Sequence, residues 1–134
     1  MNLVLDSSAL IAYLRNEDGV DVVDGLLSEP GNVCFVHAIN LCEVNYEAKR
    51  RGGEERARAT LAVLRRAGLI RREDMDEDFS QAVGGIKADY RRISLADCFC
   101  AALANRIGCE VVTADRHEFE PLAGVNVCAV RFIR

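Results

Sequence analysis

No apolar run in this sequence approaches the length needed to cross a bilayer. The opening Met1-Asn2-Leu3-Val4-Leu5-Asp6 has neither the basic start nor the apolar stretch of a secretory leader, so the expectation is a cytoplasmic protein with no membrane partner. C-x-x-C pairs are also missing. Six cysteines (Cys34, Cys42, Cys98, Cys100, Cys109 and Cys128) lie within apolar stretches. Without paired spacing they argue against a disulfide framework or a thiolate zinc site, and read instead as small buried hydrophobes in a reducing compartment. Repeats, low-complexity tracts and linkers are absent too. The 134 residues therefore read as one domain, 1–134, large enough for a substantial core and too short for two. An excess of positive charge is lacking: the formal net charge of −4 argues weakly against a nucleic-acid partner.

What is present is a globular balance, with 50% hydrophobic and 28% charged residues. The distribution of charge says more than its sum. Lys49, Arg50, Arg51, Arg56, Arg58, Arg65, Arg66, Arg71 and Arg72 form a basic middle, and Glu73, Asp74, Asp76, Glu77 and Asp78 follow at once. Such runs ordinarily mark solvated helix faces. The abrupt switch at Arg72-Glu73 also allows the two signs to pair with each other.

The hydrophobic periodicity alternates between two kinds of element. Leu3-Val4-Leu5 is a short buried strand, and Leu10, Ile11 and Leu14 follow Asp6-Ser7-Ser8 at helical spacing. Val20, Val23, Leu26 and Leu27 continue the helical period until Pro30-Gly31, after which Val33 to Val36 is a second strand. Helices are expected from Ala38 to Gly52-Gly53, from Glu54 to Ala67, from Met75 to Tyr90 and from Ser94 to Arg106, with a short extended piece at Leu69-Ile70. Glu110 to Val112 and Val125 to Val130 complete the strands. Short apolar runs alternating with helices imply an α/β fold, parallel strands covered by helices on both faces.

Four acids stand out, each with an ordinary alternative. Asp6 follows a buried strand, where the ligand crevice of an open parallel sheet lies, but it also suits the cap of the first helix. Glu43 shares a polar helix face with Asn40 and Glu47, which is equally the pattern of a solvated surface. Asp97 is the most informative, because Leu95, Ala96 and the run Cys98 to Ala104 surround it with apolar residues. A carboxylate in so apolar a helix costs several kcal/mol unless a cation or donors compensate it. Ser94 and Asp97 also approximate a capping box, which offers a local solution. Asp115 ends a strand as Asp6 does, and Asp is also a favoured turn residue.

Together, two acids past strand ends, one at the start of a buried helix and one on a helix that follows a strand can share one rim. Oxygen ligands without soft ones suit Mg²⁺ or Mn²⁺. His37 and His117 show no ligand spacing and read as structural or exposed.

The motifs Leu5-Asp6-Ser7-Ser8-Ala9-Leu10, Ala38-Ile39-Asn40-Leu41-Cys42-Glu43-Val44, Ser94-Leu95-Ala96-Asp97-Cys98 and Val112-Thr113-Ala114-Asp115 resemble those of the PIN-domain ribonucleases, and among them the VapC toxins of toxin–antitoxin pairs. The resemblance covers nearly the whole chain. It implies a PIN-like three-layer fold with a central five-stranded parallel sheet, and a metal-dependent endoribonuclease activity on RNA. It also implies Asp6, Glu43, Asp97 and Asp115 as the acidic metal site, with Ser7 and Thr113 as supporting hydroxyls. A homodimer held inactive by a VapB-like antitoxin is implied as well. Substrate phosphates need cations outside the acidic site; Lys49, Arg50 and Arg51 are the first candidates, Arg91 and Arg92 the second. The rival readings are a receiver-type Mg²⁺-binding signalling domain and a structural interaction module. A receiver needs a late lysine near the acids, and none follows Lys87.

Overall fold

Strand β1 (Asn2–Leu5) forms the middle of the sheet, which is why Leu3, Val4 and Leu5 are all fully buried. The computed structural model describes residues 1–134. After β1 come α1 (Ser7–Leu14), α2 (Val20–Ser28), β2 (Val33–His37), α3 (Ala38–Arg66), β3 (Ile70–Arg72), α4 (Glu77–Asp89), α5 (Leu95–Ile107), β4 (Glu110–Thr113), α6 (Arg116–Gly124) and β5 (Val130–Phe132). The five strands make one parallel sheet in the order β3-β2-β1-β4-β5.

Successive side chains of a strand face opposite sides. Val4 and Val111 therefore point into a core formed with α4, α5 and α6, while Leu3, Leu5 and Val112 point into a second core with α1, α2 and α3. The result is the expected three-layer α/β/α arrangement. Helix α5 is apolar all round, and Asp97 to Ala104 are buried without interruption.

Several boundaries depart from the sequence expectation for local reasons. The helical period from Leu10 to Leu27 is broken into α1 and α2, because Asn16 (φ 54°) and Gly19 (φ 93°) are left-handed. Helix α3 runs through the Gly52-Gly53 boundary but kinks at Gly53, whose φ of 79° is outside the helical range. Helix α6 was not anticipated; it is short, and Pro121 within it masks its helical signal. It carries the chain to Gly124. Val127 N–H then bonds back to Leu122 O and Asn126 is left-handed, so sheet pairing resumes only at Ala129 and the last strand falls at Val130–Phe132 rather than Val125–Val130.

The charge switch resolves by pairing. Arg71 meets Glu73 at 2.9 Å, Arg72 grips Asp74 through two 2.8 Å bonds, and Arg106 from the end of α5 reaches Asp74 at 3.0 Å. His37 is structural: its Nδ1 accepts from Ile39 N–H (3.1 Å), which leaves Nε2–H to donate to Asp74 O (2.9 Å), and its ring packs against Phe79 and Phe99.

Gly19 closes the α1–α2 turn against the C-terminal tail. A methyl group there would stand 2.8 Å from the carbonyl oxygen of Ile133, in a left-handed backbone that favours glycine. Gly19→Ala is expected to lower the unfolding free energy by about 2–4 kcal/mol, combining backbone strain with overpacking. Urea unfolding measures this; a loss under about 0.5 kcal/mol would show that the tail yields freely.

Candidate active site at the carboxyl edge of the sheet

The strand order reverses between β1 and β4, with β2 and β3 on one side and β5 on the other. Loops leaving such neighbours diverge and open a crevice beyond the strand ends. Asp6 follows β1 directly, and Asp115 lies two residues beyond β4.

Asp6 is only 1% exposed. It caps α1 by accepting from Ala9 N–H at 2.9 Å, and it also accepts from Ser8 Oγ at 2.8 Å and Thr113 Oγ1 at 2.6 Å. The cap and the site acid are thus one residue. Burial pushes its pKa up to about 6, the Thr113, Ala9 and Ser8 bonds pull against that rise, and the charge of Asp115 adds to it. Thr113 Oγ1 is one of the two hydroxyls that hold Asp6. The hydroxyl beside it is Ser8, which also accepts from Ala114 N–H, whereas Ser7 donates to Glu43 Oε1 at 2.9 Å.

The polar face of α3 turns inward. Asn40 is fully buried and Glu43 half-buried, while Cys42 and Tyr46 of the other face are exposed. A solvated face is therefore not the role of Asn40 and Glu43. The same rotation places Cys42 at the surface, unlike the buried position expected of it, and Cys109 is half-buried; all six thiols are free.

Asp97, 7% exposed, decides the capping question. Ser94 Oγ accepts from Asp97 N–H at 3.1 Å, the first half of a capping box. The reciprocal half goes elsewhere: Ser94 N–H donates to Glu118 Oε2 at 3.1 Å. Asp97 is therefore not neutralised by its own helix. Burial raises its pKa to about 8, with the charges of Asp6, Glu118 and Glu43 adding to the rise and the Ser94 hydroxyl offsetting only part.

Asp115 caps α6 by accepting from Glu118 N–H at 3.0 Å, and its own N–H donates to Thr113 Oγ1 at 2.9 Å. Carboxylate oxygens of Asp97, Asp115 and Glu118 all lie within 4.8 Å of one another. Glu118 was missed in the sequence. Its signal was the spacing Asp115-x-x-Glu118, a capping-box pattern at the start of the unanticipated α6. Close like charges with hard oxygen donors, one of them buried without a counterion, fit Mg²⁺ or Mn²⁺.

The basic candidates separate by position. Arg50 is paired with Glu47 at 3.0 Å, and Arg51 lines a groove of about 480 Å³ between α1 and α3 with Arg15 and Arg56; Lys49 is exposed. Arg91 and Arg92 line a groove of about 600 Å³ with Arg116, His117 and Glu118, so this groove adjoins the acids. Lys87, the last lysine of the chain, is engaged away from the acids: its Nζ donates to the carbonyls of Arg91 and Ile93 at 2.7 and 2.6 Å.

The sequence matches the PIN domain family model over residues 3–125, and the chain belongs to that family, whose members are generally nucleases dependent on divalent metal. Its fold is that of the VapC toxins in VapBC pairs. It is similar to a chain of VapBC2 from Rickettsia felis bound to a promoter DNA fragment, with TM-score 0.75, 16% identity and 98% of each chain covered. A DNA-bound VapBC chain from Salmonella typhimurium matches with TM-score 0.73 and 19% identity over 100% of this chain and 99% of that one. VapC20 from Mycobacterium tuberculosis, a toxin that cleaves the sarcin–ricin loop, matches with TM-score 0.69 and 20% identity over 89% of this chain and 94% of its own. No curated protein matches the sequence. No helix is long and apolar enough to cross a membrane.

The raised acids set a pH signature. Burial holds the carboxyls of Asp6 and Asp97 up at about 6 and about 8, above the usual carboxylate range, so between about pH 4 and 8 the folded state holds more protons and metal-free stability falls as pH rises. Asp74 acts oppositely: Arg72 and then Arg106 hold it down to about 2, and its contribution is lost as pH drops from 4 toward 2. Thermal melts without metal should therefore peak at about pH 4 and decline toward pH 8. Mn²⁺ should raise Tm more at pH 8 than at pH 5.5, because at the lower pH it must displace protons. Metal-free stability that climbs from pH 5 to 8 would contradict this account.

Proposed function

We propose that this chain is a Mg²⁺- or Mn²⁺-dependent endoribonuclease and the toxin of a VapBC-type pair. The observation that carries the reading is the Asp97, Asp115 and Glu118 cluster, oxygens within 4.8 Å at the switch point of a PIN-domain fold. Asp97, Asp115 and Glu118 would hold the ion, with Glu43 and Asp6 completing the acidic site. Asp6, held by Ala9, Ser8 and Thr113, keeps β1, α1 and β4 in register around it. When bound, a divalent ion lowers the pKa of a coordinated water, orients the phosphate and offsets transition-state charge.

Arg91 and Arg92, with Arg116 across the groove, hold the RNA backbone beside the acids. Arg50, engaged by Glu47, is the weaker choice, and Lys49 and Arg51 contribute farther from the cluster. Attack by water rather than by the ribose hydroxyl leaves 5′-phosphate and 3′-hydroxyl ends. No histidine or serine nucleophile is required. Likeness to VapBC chains supports a small antitoxin that inserts a segment into the acidic groove, and a homodimer; exposed Tyr46 (61%) and Leu95 (52%) suit a surface that another chain covers. Cellular RNA as substrate and a thiol-rich chain without disulfides support a place of action in the cytoplasm.

Purified chain incubated with structured RNA and Mn²⁺ should cut it, and chelation should stop the reaction. Asp97→Asn and Asp6→Asn should each lower the rate by more than about 100-fold. Intact RNA after incubation with folded, antitoxin-free wild type would sink the nuclease reading. Separately, the Arg91→Ala/Arg92→Ala pair should weaken RNA binding and reduce its salt slope by about 1–2, measured by titration at several salt concentrations. An unchanged slope would place the backbone contacts elsewhere.

A further inference from the structure

Asn40 is fully buried on the first turns of α3, yet its amide is half used. Nδ2 makes one long bond, 3.5 Å to Ala96 O, and Oδ1 has no partner. The orientation of the amide follows from chemistry, because turning the oxygen toward the Ala96 carbonyl would set two acceptors against each other. A buried acceptor without a donor is destabilising, and Leu at this position would avoid that cost. The surroundings suggest what the oxygen is for. Ala96 immediately precedes Asp97 in the first turn of α5, and Glu43 lies one turn beyond Asn40 on the same inward face of α3. The orphan oxygen thus belongs to a residue whose side chain hydrogen-bonds from the helix carrying Glu43 to the helix carrying Asp97.

We propose that Asn40 is a positioning residue of the metal site: its Oδ1 accepts a hydrogen bond from a water bound to the ion, while Nδ2 fixes the start of α5. This rests on the metal-centre reading above. Mg²⁺ and Mn²⁺ retain several waters when carboxylates bind them, and those waters are strong donors in search of acceptors. An uncharged acceptor serves there without adding another like charge to a cluster that already holds several acids. Partners in this outer layer orient the inner ligands, and losing one typically weakens metal binding about 10- to 100-fold.

The test compares wild type with Asn40→Leu, Asn40→Ala and Asn40→Ser, using Mn²⁺ alone as probe. Mn²⁺ affinity is read from the free-ion paramagnetic resonance signal, and metal-free Tm from thermal melts. Asn40→Leu, close to isosteric, should keep or raise the metal-free Tm and weaken Mn²⁺ binding about 10- to 100-fold. Asn40→Ala should also weaken binding, and Asn40→Ser, which retains an acceptor, should weaken it less than either. Wild-type affinity in Leu and Ala variants alike, whatever their Tm, overturns the proposal; should the Leu variant not fold, the Ala and Ser pair decides. Wild type that binds no Mn²⁺ instead overturns the metal-centre reading beneath it.

Discussion

A carboxylate withdrawn from water costs several kcal/mol unless donors or a cation take the place of its hydration shell. The crevice between β1 and β4 holds two such groups, and the fold treats them differently. Asp6 receives donors from Ala9, Ser8 and Thr113, which tie β1, α1 and β4 together around it. Asp97 is surrounded by the apolar body of α5 and has only the Ser94 hydroxyl to ease it, which is why its pKa rises further, to about 8 against about 6. One acid is held by several donors of the protein, and the other is left with a single hydroxyl to ease it.

The elements around them follow from that arrangement. Helix caps and site residues coincide: Asp6 caps α1, Asp115 caps α6, and Glu118 satisfies the N-terminal amide of the cap of α5. Positive helix N-termini consequently face the acids and reduce their mutual repulsion. Removing one of these side chains therefore disturbs both a helix start and the charge balance of the crevice. On the opposite count, Arg72 and Arg106 pair with Asp74 and Asp76 away from the crevice, so the basic middle of the sequence is only partly available to a phosphate backbone. The groove that adjoins the acids carries Arg91, Arg92 and Arg116, the last of them paired with Glu120 at 3.0 Å.

Much of this was legible in the linear pattern because it depends on neighbours in sequence. Apolar runs bounded by turn residues marked β1, β2 and β4, and an apolar helix with one acid near its start marked α5 and Asp97. Helix α6 and the true position of β5 were not legible, since Pro121 and the left-handed Asn126 hide a short helix whose end decides where pairing resumes. The partners of the two serines depended on rotation about α1: Ser8 meets Asp6, and Ser7 meets Glu43, 36 residues away in sequence.

The sequence by itself determined which residue types would meet at a parallel-sheet edge, because burial, period and strand-end acids are local properties of the chain. Only the tertiary structure decided how the charges are compensated. The bond that a local capping box would give to Asp97 goes to Glu118, 24 residues from Ser94, and the polar face of α3 turns inward to bring Asn40 and Glu43 to the acids. Those outcomes depend on how three helices converge at one end of the sheet. Spacing along a chain does not contain that geometry, because a hydrogen bond goes to whichever acceptor packing brings within reach.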